Sequence, residues 1–194
     1  MNRGYPDGAT PLDPDEVAGL IPSIATRADL NEFEERNILS ARQWATTSRI
    51  LRRDYPNVSA IRRLHQEMFN VTWTWAGQFR NTDKNIGTHW PLIPAELHNL
   101  CEDTRYWLDH GTYEWVELGA RFHHRLVSIH PFPNGNGRHA RLATDILLRQ
   151  NAQRAFTWGS ESLMGEGTPR RQYIEALRAA DQGDLAPLSA FVKM

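Results

Sequence analysis

The chain has 194 residues, 40% of them hydrophobic and 23% charged, which is enough for one domain with its own core. Twenty-two Lys and Arg against 23 Asp and Glu leave a net charge of −1, so no global basic field draws the molecule to nucleic acid or an anionic membrane, and any anion binding has to be local. The single cysteine, Cys101, excludes an internal disulfide.

No apolar run reaches the roughly 18 residues of a membrane span, and "MNRGYPDGATPLDPDE" lacks the apolar stretch of a secretory signal. The expected location is the cytoplasm, with no membrane partner.

In chain order, residues 1–25 read as an N-terminal arm. Residues 1–14 hold three prolines and two glycines, so this arm is ordered only if it docks. Thr26, with Asp29 three residues later, suits a capping box. Leu30, Phe33, Ile38, Ala41 and Trp44 then recur at helical spacing and predict a helix over 26–49. A second helix begins near Ser59, with Ile61, Leu64 and Met68 on one face. Residues 71–94, "VTWTWAGQFRNTDKNIGTHWPLIP", mix β-branched and aromatic residues with turn formers and read as a short β-hairpin flap.

Helices resume over 95–110, closed by Gly111, over 114–129, and over 136–150 with Leu142, Ile146 and Leu147 apolar. Thr168 and Pro169 read as the cap and first residue of a helix that ends at Gly183. A last short helix carries Leu188 and Phe191. The expected class is mainly α, one domain over 1–194 with a small β-element.

Residues 130–141, "HPFPNGNGRHAR", join two of these helices. Gly135 and Gly137 allow a tight turn that exposes backbone N–H groups. Those groups lie at the start of the next helix, where the dipole also favours negative charge. Arg138 and Arg141 are three apart on that helix and can share one space, and guanidinium forks suit phosphate oxygens. The loop therefore reads as a polyphosphate cradle rather than a plain helix-joining turn. His130 stands just before it, where an imidazole can take a proton from an attacking hydroxyl. Phe132 reads as an apolar anchor. Asn134 and Asn136 offer amide groups, one to a magnesium ion and the other to a phosphate oxygen.

His130, Phe132, Gly135, Asn136, Gly137, Arg138 and Arg141 resemble the signature of the Fic (filamentation induced by cyclic AMP) family, H-x-F-x-[D/E]-G-N-G-R-x-x-R. From "GATPLDPDE" through "WAGQFRNTDKNIG" to "FVKM" the chain is similar to the branch labelled mobile mystery protein B. The resemblance implies a Fic-type helical bundle and AMP transfer from ATP, with Mg²⁺, to a Ser, Thr or Tyr hydroxyl of a target protein. It implies that His130 is the base, that residues 135–137 and the Asn136 side chain hold phosphates, and that Arg138 and Arg141 reach the β- and γ-phosphates. Asn134 stands where the family has its metal-binding acid, so a weaker magnesium site is expected. The related Doc branch tolerates Asn there and transfers a phosphoryl group, which keeps a Doc-like phosphotransferase open. A catalytically weak nucleotide-binding regulator is open for the same reason. Against Doc, Gly137 and Arg138 follow the AMP-transferring form.

The resemblance also implies an inhibitory helix, [S/T]-x-x-x-E-[G/N], whose glutamate pairs with the second loop arginine. "NEFEERN" at 31–37 puts Glu35 in the glutamate place, although Glu32 and Glu34 lie beside it and a solvated helix face explains all three. The flap residues Lys84, Asn85, Ile86 and Gly87 are expected to position a target segment by strand addition, or to form an ordinary exposed hairpin. A separate antitoxin chain is a possible partner by analogy with the branch. His123 and His124 lack the spacing of a zinc pair, and Tyr173 either approaches an adenine or simply packs.

Overall fold

The computed structural model describes residues 10–24, 26–159 and 167–193. Among these, the helices are α1 (Pro14–Val17), α2 (Arg27–Thr47), α3 (Arg49–Asp54), α4 (Val58–Phe69), α5 (Ile93–His110), α6 (Trp115–Ile129), α7 (Asn136–Gln150), α8 (Thr168–Asp181) and α9 (Ala186–Phe191). The capping box at α2 forms as its sequence dictates. The Asp29 N–H donates to Thr26 Oγ1, and the Thr26 N–H donates to Asp29 Oδ2, both at 3.1 Å. Gly111 closes α5 in the left-handed conformation that glycine adopts without a Cβ clash. At α8 the cap is Gly167 rather than Thr168, so Pro169 is the second helical residue.

Helices α4, α5, α6 and α7 pack around one core that includes Leu64, Met68, Leu97, Phe122, Leu126, Phe132 and Leu147. Each such side chain taken out of water contributes about 1.5–3 kcal/mol. Helix α2 lies on α4, while α8 and α9 cover α6 through a smaller cluster containing Trp158, Tyr173, Leu188 and Phe191. No helix among the described residues is long and apolar enough to cross a membrane.

The N-terminal arm is docked where it is described. The Ile21 N–H donates to the Thr72 carbonyl, the Thr74 N–H to the Gly19 carbonyl, and Trp75 Nε1 to the Glu16 carbonyl, all at 2.9 Å. Residues 1–9 of the arm lie outside the described residues.

The expected hairpin at 71–94 does not form. Trp73 makes one isolated antiparallel bridge, and its partner is Leu20 of the arm. The reason is competition for backbone groups. The Arg80 N–H donates to the Pro131 carbonyl and the Thr88 N–H to the Ile129 carbonyl, while the Arg80 side chain takes the carbonyls of Thr82 and Thr88. The flap is a loop wrapped around a buried guanidinium, and its groups are spent on the 129–131 segment instead of on a ladder.

Three histidines are fully buried in the helical core: His65, His123 and His139. Burial holds all three below the ordinary value of 6.5, His123 at about 3 and His139 at about 4. His130, in the loop after α6, is likewise buried and held at about 3, so the unfolded chain binds about four more protons than the folded one as pH falls from about 6 towards 4.5. Buried Asp145 opposes this, because desolvation raises it to about 6 and it takes up a proton on folding. The net difference of about three protons destabilises the fold as pH falls through that window. Urea unfolding midpoints should fall steeply below pH 6, and His139→Gln should flatten the dependence by about a third.

Candidate active site

Helix α6 ends at His130, which sits in the left-handed region at φ 51° and ψ 58°. That conformation is strained for a residue with a Cβ and persists only where the surroundings over-determine it. Arg80 supplies the constraint. Its Nε donates to the His130 carbonyl at 2.7 Å, and its Nη2 donates to the carbonyls of Ile129 and Thr88. Gly87 lies directly against both residues, since a Cβ there would meet Arg80 Nη2 and His130 Cβ at 2.7 Å each. The flap and the loop thus share one anchor.

Phe132 then enters the core. It stacks on His65 with ring centroids 3.7 Å apart. The His65 tautomer follows from its partners: the Gly77 N–H donates to Nδ1, so Nε2 carries the proton and donates to the Asn134 carbonyl at 3.0 Å. Asn136, the first residue of α7, turns its side chain back onto the loop. Its Oδ1 accepts from the Phe132 N–H and its Nδ2 donates to the Phe132 carbonyl. The Asn136 amide thereby braces the loop, where a phosphate contact was expected of it. Gly135 caps α7 at φ 77°, and a Cβ there would strike the Phe69 ring at 2.5 Å.

No side chain caps the N-terminus of α7. Its first turn, residues 136–138, therefore presents amide N–H groups and the positive end of the dipole to the space beyond. Arg138 and Arg141 flank that space. Arg138 lies over the Phe69 ring and Arg141 over Tyr173. A Cβ on Gly137 would meet nothing closer than Tyr173 Oη at 3.7 Å and Arg141 Nη1 at 3.9 Å. This glycine leaves open the room between the helix end and Arg141. Tyr173 itself is buried and makes a 2.9 Å hydrogen bond with His123 Nε2, whereas His124 pairs with Asp181.

His130 is 6% exposed. Burial first, then the Arg80 and Lys84 charges, push its imidazole down to about 3, while the Val127 carbonyl works the other way. The ring is neutral at physiological pH, which leaves one ring nitrogen unprotonated. Its Nε2 lies 3.1 Å from Thr10 Oγ1.

The carboxylate that reaches the loop is Glu34 and not the expected Glu35. Glu35 is exposed, and its neighbour Glu34 is buried. Glu34 Oε2 accepts from Arg138 Nη1 at 2.6 Å, and Oε1 accepts from Trp73 Nε1 at 2.7 Å. Successive helical residues point about 100° apart, so only one can face α4 and α7, and that position is 34. The arginine partner is also the first of the pair, Arg138, rather than Arg141. Of the four flap residues, Lys84 and Gly87 reach the site region, whereas Asn85 and Ile86 face solvent.

The Asn134 side chain is doubly engaged. Its Oδ1 accepts from the Gly135 N–H at 2.7 Å, and its Nδ2 donates to the Thr10 carbonyl at 3.2 Å. No group of three or more His, Cys, Asp or Glu that could hold a metal occurs among the described residues. These residues do not make a magnesium site by themselves, because the position offers one neutral, already bonded oxygen where magnesium favours carboxylates.

Residues 55–148, which span the flap, α6, the loop and α7, match the model of the Fic/DOC family. Those residues are a Fic/DOC family domain. The Fic domain sits in a chain that is 34% identical over 136 residues to a protein adenylyltransferase Fic of Drosophila grimshawi. The match takes in 68% of this chain and 27% of that protein. The relative of the same description from Aedes aegypti is 28% identical over 79% of this chain and 30% of its own length. The chain thus spans less than a third of these curated relatives.

Among solved structures, the N-terminal Fic domain of a VirB-translocated Bep effector from Bartonella quintana, with bound ADP, superposes at a TM-score of 0.71. It shares 17% identity, over 90% of this chain and 87% of that one. The BepC protein of Bartonella tribocorum, with bound AMPPNP, gives 0.66 at 19% identity, over 88% and 87%. At these identities the likeness concerns the Fic fold.

Two substitutions separate scaffold from site. Gly135→Ala should lower the melting temperature, because its Cβ collides with Phe69. Gly137→Ala should leave it unchanged or slightly higher, as expected when alanine replaces a helical glycine, yet weaken ATP binding about tenfold or more, in line with one lost charge-assisted hydrogen bond. Thermal melts and isothermal titration check the pair.

Proposed function

We propose that this chain is a protein adenylyltransferase, moving AMP from ATP to a Ser, Thr or Tyr hydroxyl of a target protein. The observation that carries the reading is a neutral, buried His130 imidazole set directly before an uncapped helix N-terminus flanked by two arginines. The adenylyltransferase relatives support it. The ADP- and AMPPNP-bound relatives support ATP as the co-substrate.

In this reading the amides of residues 136–138 and the guanidinium groups of Arg138 and Arg141 hold the phosphate chain and stabilise charge that develops on it. The incoming hydroxyl gives its proton to His130 Nε2 as its oxygen bonds to the α-phosphorus. The bond to the β-phosphate bridging oxygen breaks, and pyrophosphate leaves. The polyphosphate raises the proton affinity of His130 by its own charge, bringing a base now held near 3 closer to working pH. Magnesium, where present, would come with the phosphates of ATP and not through a site that Asn134 builds, since its oxygen is already taken by the Gly135 N–H. The Lys84–Gly87 stretch of the flap lies where a target segment would run.

Glu34 acts as the brake. Its carboxylate occupies Arg138, a guanidinium the phosphate chain needs, and a negative charge there repels the same ligand. Asn134 favours a second reading, phosphoryl transfer, because it replaces the acid of the AMP-transferring pattern. A separate antitoxin chain is not required by a brake carried in cis.

Incubation with ATP labelled at the α- or the γ-phosphate separates the two. Protein label from the α-position supports AMP transfer and label from the γ-position supports phosphorylation. Protein that binds ATP and takes neither label is a regulator. Glu34→Gly should raise α-labelling several-fold and Glu35→Gly should leave it unchanged. His130→Ala should abolish labelling while ATP still binds.

A further inference from the structure

The N-terminal arm runs through the site. Thr10 is buried although it lies at the end of the described arm. Its hydroxyl is 3.1 Å from His130 Nε2, and its carbonyl accepts from Asn134 Nδ2. A general base has to be within about 2.6–3.2 Å of the group it deprotonates, and Thr10 is the hydroxyl that meets this at His130. The segment behind it is tied to the flap. Lys84 Nζ reaches Asp13 Oδ2 at 2.7 Å and Glu16 Oε2 at 2.6 Å, with its side chain only 4% exposed. Thr82 Oγ1 donates to the same Asp13 oxygen at 3.0 Å. Lys84 Nζ thus bridges two carboxylates that lie three and six residues after the hydroxyl.

These contacts are what a bound target would need: a hydroxyl on the base, a main-chain carbonyl on the loop, and two acids on the flap lysine. We propose that residues 10–16 occupy the target site in cis, and that Thr10 is a self-modification site that accepts AMP from ATP. This rests on the AMP-transfer reading above. Thr10 Oγ1 loses its proton to His130 Nε2 and bonds to the α-phosphorus of ATP. The α–β phosphoanhydride bond breaks, pyrophosphate takes the electron pair, and the product is a phosphodiester between Thr10 and AMP. Once formed, the bulky adduct cannot return to its place against His130, so modification also clears the site for a target in trans. The same contacts give the site a preference for a hydroxyl followed, three and six residues on, by carboxylates.

The test uses the full chain carrying Glu34→Gly, incubated with ATP and magnesium, and read by intact mass and fragment mass spectrometry. The expected result is one AMP per chain, on Thr10, at a rate independent of protein concentration. Thr10→Ser should keep the label, Thr10→Val should lose it, and Lys84→Met should slow it several-fold. Label at another residue that persists in Thr10→Val, or a rate that rises with protein concentration, overturns the proposal. If His130-dependent label appears on lysate proteins while Thr10 stays unmodified, the proposal fails and the AMP-transfer reading stands. If ATP binds and nothing is labelled, both fail.

Discussion

The arrangement around the site depends on one buried charge. Arg80 is 2% exposed, and a guanidinium removed from water has to be satisfied nearly completely. Here it is satisfied by main-chain carbonyls, those of Thr82 and Thr88 in the flap and of Ile129 and His130 at the end of α6. Asp83 is the carboxylate nearest to it, at 3.7 Å. Each carbonyl fixes a different stretch of chain relative to the others. The flap is consequently held against the start of the loop, and His130 is held in a backbone conformation it would not choose. A lysine could not replace this fork, because one ammonium point charge does not span the same carbonyls.

Below that anchor the loop is kept rigid by neutral groups. His65 sets its tautomer by accepting from Gly77 and donating to Asn134, and its ring carries Phe132. Asn136 closes the loop on itself through both atoms of its amide. With these polar groups paired internally, the amides left facing outward are those at the head of α7. For the proposed binding of a flexible, highly charged chain such pre-organisation is a gain, since the cost of ordering the loop is met during folding.

Much of this was legible in the sequence where the signal is local. The α6–loop–α7 unit, the capping box at Thr26 and the stop at Gly111 are each written in a few consecutive residues, and the structure has them where those residues stand. The parts that were not legible are long-range. Arg80 reads as one more polar residue of a turn-rich stretch, because its partners lie two, eight and about fifty residues away. The hairpin reading failed for the same reason, since the backbone groups that alternation assigns to a ladder are claimed by Pro131 and Ile129. His65 was visible as a histidine on the apolar face that carries Ile61, Leu64 and Met68, yet its link to Asn134 was not.

Glu34 was closer to the surface of the text. It falls on the 30–34–37–41 stripe of α2 that faces α4, and a carboxylate on a buried stripe calls for a partner. The register of the inhibitory motif falls on the next residue, Glu35, instead.

The way α2 is fastened bears on how the proposed brake would open. One turn beyond Glu34, Asn37 is buried and bonded to the end of α4. Its Nδ2 donates to the Glu67 carbonyl at 2.9 Å, and its Oδ1 accepts from the Val71 N–H at 3.2 Å. The helix is therefore bolted down beside the carboxylate that pairs with Arg138. Releasing the guanidinium needs no swing of α2, only a turn of one side chain about its own bonds. The change is local, so in the proposed brake an arriving phosphate and the Glu34 carboxylate compete for one cation.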